Sequence, residues 1–238
     1  MPPVPKALLM DVGGVFFLPS HDRILGAFAR AEFTPVIDSL DRAHYAGAAA
    51  LSAAAIEGLE WPLYWNAYLD AYLDACAAPD DLRADLHTHL DSEFSVGPLW
   101  TRIAPGAHEG LAALAAAGVR LGIVSNADGT VEQQLRAAEL VQVGPGRGVP
   151  VECVIDSSVV GVSKPDARIF DVALTAMSLE PEHVWYLGDT PGIDVEGARN
   201  AGLWPVVLDP YQLHMGADFD RVDTLAELAE VVTTVTGG

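Results

Sequence analysis

Four short segments carry side chains that could act together on a charged substrate: Asp11-Val12-Gly13-Gly14-Val15, Val124-Ser125-Asn126, Ser163-Lys164-Pro165-Asp166 and Gly188-Asp189-Thr190-Pro191-Gly192-Ile193-Asp194. They supply a carboxylate able to act as a nucleophile, a hydroxyl and an ammonium able to hold nonbridging oxygens, and further carboxylates able to hold a hard divalent cation. Phosphoryl transfer needs these parts. A carboxylate and a phosphate dianion repel, so attack by Asp11 on phosphorus requires positive charge between them. Mg²⁺, with oxygen ligands such as Asp11, Asp189 and a backbone carbonyl, would supply it from one side and Lys164 from the other.

The segments stand where apolar runs stop. Ala7-Leu8-Leu9-Met10 ends at Asp11 and turns on two glycines, residues 119–124 end at Ser125-Asn126, and residues 184–187 end at Gly188-Asp189. Two further runs, 151–155 and 205–208, end at Asp156 and Asp209. Each reads as a buried strand with a loop at its carboxyl end. Helical patterns lie between them, over 106–117, 130–140, 166–177 and 194–201. This alternation predicts an α/β fold, a Rossmann-like doubly wound parallel sheet, which binds ligands at the carboxyl ends of its strands.

Residues 19–96 break the alternation. Ile24, Leu25 and Phe28, then Trp61, Tyr64, Trp65, Tyr68, Leu69 and Tyr72, recur at helical spacing without a convincing strand among them. The segment reads as an inserted α-helical cap, with the aromatic stripe as the buried face of a helix. Residues 1–18 and 97–238 are then the Rossmann-like catalytic core. Closure of such a cap would exclude water and select the substrate.

Half of the 238 residues are apolar and 19% are charged, enough for a substantial core. The 13 Lys and Arg against 33 Asp and Glu give a net charge of −20, which repels nucleic-acid backbones and anionic membranes. Neither is expected as a partner, whereas a small phosphorylated metabolite can enter where a local cation reverses the field. The two cysteines, Cys76 and Cys153, are too few for a disulfide framework or a thiolate cage. No apolar run reaches the roughly 18 residues of a membrane span. The expectation is a cytoplasmic protein, monomeric or homodimeric.

The segments and their order resemble the haloacid dehalogenase-like hydrolase superfamily, in the phosphatase-like branch with a helical cap inserted after the first motif. The likeness covers residues 6–18 and 104–208 and includes Ala104-Pro-Gly with the helix leading into Ile-Val-Ser-Asn, Lys164-Pro-Asp-Ala-Arg-Ile-Phe170, and Gly188-Asp189 followed by Asp194-Val-Glu-Gly-Ala-Arg-Asn-Ala-Gly-Leu203. The resemblance implies Asp11 as nucleophile and metal ligand, the carbonyl of Gly13 as a second ligand, and Asp189 as a third. It implies Ser125 and Lys164 as holders of the phosphoryl group. Asp194 would support the metal directly or through water, and Asn126 would orient the loop or touch the substrate.

One position departs from that pattern. Phosphatases of this superfamily usually carry a second Asp two residues after the nucleophile, which protonates the leaving oxygen and then activates water; here Gly13 keeps the carbonyl and lacks the acid. General acid–base catalysis is worth about 10² to 10⁴ in rate, so the loss costs roughly 3 to 5 kcal/mol of barrier unless another group substitutes. Three outcomes compete. Hydrolysis of phosphate esters continues, slowly or with His21, Asp22 or Asp128 as the acid. Alternatively the chain is a 2-haloacid dehalogenase, although such enzymes carry an aromatic residue at the Gly13 position and lack the Gly-Asp motif kept here. Or it retains a metal and phosphate pocket for regulation only. The run Asp85-Leu-His87-Thr-His89-Leu-Asp91-Ser-Glu93 reads as a solvated helix face, Gly13-Gly14 as a tight turn, and Gly144–Gly148 as a loop without assigned function.

Overall fold

A computed structural model describes residues 4–60 and 62–237. In chain order the elements are β1 (Ala7–Met10), β2 (Phe17–Pro19), α1 (His21–Ala29), α2 (Ser39–Ile56), α3 (Leu63–Ala75), α4 (Arg83–Phe94), β3 (Trp100–Ile103), α5 (Ala107–Ala116), β4 (Arg120–Ser125) and α6 (Val131–Ala137). There follow the two-residue strands β5 (Val141–Gln142) and β6 (Val149–Pro150), then β7 (Val154–Asp156), α7 (Ser157–Val160), α8 (Arg168–Met177), β8 (Val184–Gly188), α9 (Pro191–Asn200), β9 (Trp204–Leu208), β10 (Asp220–Val222) and α10 (Leu225–Thr236). The chain divides into two compact units, Met1–Phe16 with Ala104–Gly238, and Phe17–Ile103.

The first unit is an α/β domain around a six-stranded sheet of order β10-β9-β8-β1-β4-β7, parallel throughout. Its central strands have no polar side to offer: all four residues of β1 and all five of β8 are buried, as expected of a sheet covered on both faces. Ala7 and Leu9 of β1 join Ile169, Phe170, Ala173 and Met177 of α8 and Tyr186 of β8 in one apolar cluster. Helices α5 and α10 approach closely at Gly110, where a Cβ would stand 2.2 Å from Cβ of Leu225.

Each of the five apolar runs read from the sequence contributes a strand of this sheet, although the run 151–155 does so only from Val154, with Asp156 inside the strand. Helix boundaries shift where local chemistry overrides periodicity: α6 stops at Ala137 rather than at 140, with Glu139 in the left-handed region at φ 55°, and α9 starts at Pro191, three residues early, because proline suits the first helical turn. Strand β10 and helix α10 continue the fold beyond those five runs, with β10 on the sheet's edge beside β9.

The second unit holds α1 to α4 and an antiparallel pair, β2 with β3, in which Phe17 faces Ile103 and Leu18 faces Arg102. Among the described residues of 19–96 only Pro19, at the end of β2, is in a strand, in keeping with the helical reading of that segment; the unit Phe17–Ile103 also takes in the residues on either side of it. In α3, Tyr68, Leu69 and Tyr72 are buried and Trp65 stacks on Tyr68 with centroids 4.8 Å apart, so the stripe is the unit's own core; Trp61 lies outside the described residues. Gly47 of α2 meets the Tyr68 ring, where a Cβ would come within 2.7 Å of two ring carbons.

Candidate active site

Parallel pairing of β1 with β4 and β8 brings three strand ends to one rim: Asp11 follows Met10, Ser125 closes β4, and Asp189 follows Gly188. The Asp11 amide donates to the carbonyl of Leu187 at 2.8 Å, fixing Asp11 against the strand that leads into Asp189. Ser125 is buried, and Asp194 lies in the first turn of α9.

Lys164 reaches this rim from the loop before α8, and its side chain is almost wholly enclosed. Its ammonium lies 2.9 Å from Asp11 Oδ2, 2.7 Å from Asp194 Oδ1 and 2.6 Å from the Tyr186 hydroxyl, which accounts for all three of its N–H donors. Burial alone would pull the lysine pKa down; Asp11 and Asp194 outweigh it and hold the ammonium above its ordinary value. Tyr186, on β8, has its phenol pKa raised well above 10 by burial and by the charges of Asp11 and Asp194, so it stays neutral. Its hydroxyl has two acceptors within reach, the Val124 carbonyl at 3.0 Å and Asp194 Oδ1 at 3.2 Å.

Asp194 has both oxygens engaged. Oδ1 accepts from Lys164, and Oδ2 accepts from the amides of Asp189 and Thr190 at 3.1 and 2.9 Å. Burial pushes its pKa up to about 6, against the pull of Lys164 and with further push from Asp11 and Asp189. The carboxylate therefore acts as a buckle between the lysine and the turn after β8. Thr190 in turn donates its hydroxyl to Asp189 Oδ1 at 3.1 Å. Two glycines make room: a Cβ at Gly188 would stand 2.3 Å from Asp194 Cγ, and one at Gly14, whose φ is +70°, would stand 2.1 Å from Asp189 Oδ2.

Asp11, Asp189 and Asp194 each offer an oxygen within 4.8 Å of the others, the one such group of metal-capable side chains among the described residues. Asp11 Oδ1 is buried with no hydrogen-bond partner among the described residues. A buried carboxylate oxygen in that state, beside further hard oxygen donors, fits a divalent cation such as Mg²⁺. Gly13 stands half-buried in the turn between Asp11 and Gly14.

Asn126 is tied to the lysine's main chain in both directions: its Oδ1 accepts from the Lys164 amide at 2.8 Å and its Nδ2 donates to the Lys164 carbonyl at 3.0 Å. Asp156, pointed out in the sequence only as the end of a run, caps α7 by accepting from the Ser158 amide at 2.9 Å and restrains the loop after β4 by accepting from the Gly129 amide at 2.8 Å. Asp209 is likewise structural, accepting from the amides of Leu213 and His214 and from Arg221.

Of the acids considered for the Gly13 deficit, Asp128 is exposed and accepts from the amide and hydroxyl of Thr130, a local turn contact. Asp22 is exposed in the first turn of α1. His21 belongs to the second unit, where its Nε2 lies 2.7 Å from Asp41 Oδ1 and Arg102 pairs with the same carboxylate. The run from Asp85 to Glu93 is helical, and Asp91 accepts from the Trp65 indole at 2.9 Å. Tyr186 and Thr190 escaped sequence reasoning; the available signal was a tyrosine, whose hydroxyl wants a partner, inside an otherwise apolar buried strand.

Residues 5–202 match the family of haloacid dehalogenase-like hydrolases. The phosphoserine phosphatase of Thermus thermophilus is 31% identical over 218 residues, which span 87% of this chain and 82% of that protein. The glyceraldehyde 3-phosphate phosphatase of Methanothermobacter thermautotrophicus is 30% identical over 123 residues, about half of each chain at 48% and 52%. Among solved structures, the magnesium-bound HAD-hydrolase YfnB from Bacillus subtilis superposes with a TM-score of 0.60 at 18% identity, covering 97% of this chain and 99% of that one, a likeness of fold. The chain belongs to the haloacid dehalogenase-like hydrolase family. It is an enzyme, a hydrolase with a Rossmann-like core.

Proposed function

We propose that the protein is a phosphatase that hydrolyses a small phosphomonoester through an aspartyl-phosphate on Asp11, with Mg²⁺ as cofactor. The observation that carries this reading is the charge at the rim: three carboxylates with oxygens within 4.8 Å of one another face the single ammonium of Lys164, leaving two negative charges uncompensated. Asp11, Asp189 and the Gly13 carbonyl, with Asp194 supporting them, would hold the cation, which when bound supplies the positive charge that lets a phosphate dianion meet a carboxylate.

The protein's own groups do the rest. A carboxylate oxygen of Asp11 bonds to phosphorus as the bond to the leaving alcohol oxygen breaks. The Lys164 ammonium and the Ser125 hydroxyl take nonbridging oxygens and stabilise their developing charge. Asn126 contributes by fixing the lysine's main chain. Water then cleaves the aspartyl-phosphate, giving orthophosphate and restoring Asp11. With no acid at position 13, the departing alkoxide takes its proton from water or from the substrate's own acidic group, which favours esters with good leaving groups.

The relatives named for phosphoserine and glyceraldehyde 3-phosphate support a small phosphorylated metabolite as substrate. In this proposal the unit Phe17–Ile103 is the cap and the other the catalytic core. Two buried, unpaired cysteines accord with a reducing cytoplasm, and no helix among the described residues is long and apolar enough to cross a membrane.

A panel of phosphomonoesters and 2-haloacids assayed with Mg²⁺ and with EDTA tests the reading. Orthophosphate release that needs Mg²⁺ and disappears in Asp11→Asn is the expected result. Halide release indifferent to EDTA, with no phosphate released from any ester, overturns it.

A further inference from the structure

We propose that Tyr186 is a positioning residue: its phenol holds the Lys164 ammonium so that one N–H is aimed past Asp194 at Asp11, where an incoming phosphoryl oxygen is taken up. The inference rests on the phosphatase reading and adds to it a residue from the middle of a buried strand.

The geometry separates the three partners of the ammonium. Asp194 and Tyr186 are both enclosed, and each is anchored on rigid backbone, the acid by the amides of Asp189 and Thr190 and the phenol by the Val124 carbonyl of the neighbouring strand. Asp11 is the partner open to solvent, at 13% side-chain exposure, and has a second oxygen without a hydrogen-bond partner. Substrate can therefore displace the Asp11 contact while the other two hold. The phenol is a neutral acceptor, so it orients the lysine without competing electrostatically with a phosphate, as a third carboxylate would. Removing the hydroxyl leaves a buried N–H unsatisfied, and the ammonium settles between its two carboxylates, strengthening the existing Lys164–Asp11 contact that substrate has to displace.

Tyr186→Phe should lower kcat on the order of 10- to 100-fold, the worth of a hydrogen bond to a charged group, while KM changes less than about threefold. Phe170→Leu is the packing control, because Phe170 meets the Tyr186 ring edge-on at 4.9 Å and leaves the hydroxyl in place; it should lower Tm and leave kcat near wild type.

A second readout does not depend on turnover. The chain has two lysines, Lys6 and Lys164, and Lys6 is exposed. In ¹⁵N-labelled, metal-free protein the enclosed Lys164 ammonium should therefore give a slowly exchanging ¹H–¹⁵N signal, retained in Lys6→Arg and broadened or lost in Tyr186→Phe. Wild type lacking that signal overturns the proposal even if Tyr186→Phe fails to fold. So does a Tyr186→Phe enzyme with the signal intact and kcat within threefold of wild type, or a Phe170→Leu enzyme that loses as much kcat as Tyr186→Phe. If wild type releases phosphate from no ester, the phosphatase reading has failed separately, and the ammonium signal still decides whether Tyr186 holds the lysine.

Discussion

Replacing Gly14 with alanine puts one methyl group where the structure has no space for it. Its Cβ would lie 2.1 Å from Asp189 Oδ2 and 2.2 Å from Cγ, against 3.4 Å for ordinary contact. The carboxylate must therefore retreat by about 1 Å or more, since a packed interior cannot absorb the overlap. At φ +70° the alanine also sits in a left-handed conformation costing about 1–2 kcal/mol. That backbone cost alone lowers Tm by about 2–8 °C for a chain of this size. A misplacement of about 1 Å at a reacting centre can cost about 10² in rate, so kcat/KM for the best phosphomonoester should fall by that order. Gly118→Ala separates the two effects, because Gly118 has φ +76° and nothing within 4 Å of an added Cβ. It should lower Tm by a similar amount and leave kcat/KM alone. If Gly14→Ala stays within about threefold of Gly118→Ala in steady-state phosphate release, the placement of Asp189 is not what the turn protects, and the account of the site fails.

Gly13→Asp restores the position of the missing acid and should raise turnover of alkyl phosphates more than that of aryl phosphates, whose leaving groups need no proton; equal or reduced rates for both would show that position 13 must stay empty. Burial pushes the Cys76 and Cys153 thiols up to about 11, so at pH 8 the thiolate fraction is roughly 10⁻³ and a disulfide reagent should label them only after unfolding. The unfolded chain loses these protons first, near pH 9, and stability should therefore erode as pH rises from about 9 towards 11. Fast labelling of the native protein at pH 8, or a denaturation midpoint flat across that interval, would count against the burial argument.

The sheet and its loops were legible because a buried parallel strand leaves an unmistakable pattern: an apolar run that halts at an acid, as at Met10-Asp11 and Leu187-Gly188-Asp189. Alternation predicts that Asp11 and Asp189, at the carboxyl ends of parallel strands, share one rim, whereas the joining of Lys164 and Asp194 to them was implied by the family resemblance. Other parts were hidden for physical reasons. Tyr186 reads as one more core residue, since nothing local reveals that its hydroxyl meets a lysine 22 residues away. The sequence leaves Asn126 between orienting the loop and touching the substrate, and the loop bearing Lys164 closes on it through two hydrogen bonds. Strands β2 and β3 are too short to show alternation, and their pairing joins segments some 80 residues apart. The start of α9 was masked because the loop carrying Asp189 runs straight into a proline that serves equally as a turn residue and as a first helical residue.

The family match ends at residue 202, yet the sheet does not. Trimming the chain there would strip away β9, β10 and α10, and the strand carrying Gly188-Asp189 would become an open border with an unpaired row of amides and carbonyls. Such a border recruits other copies, so the truncated protein should precipitate rather than merely lose activity. The last 36 residues thus set the strand that carries Gly188-Asp189 two strands in from the sheet's open border.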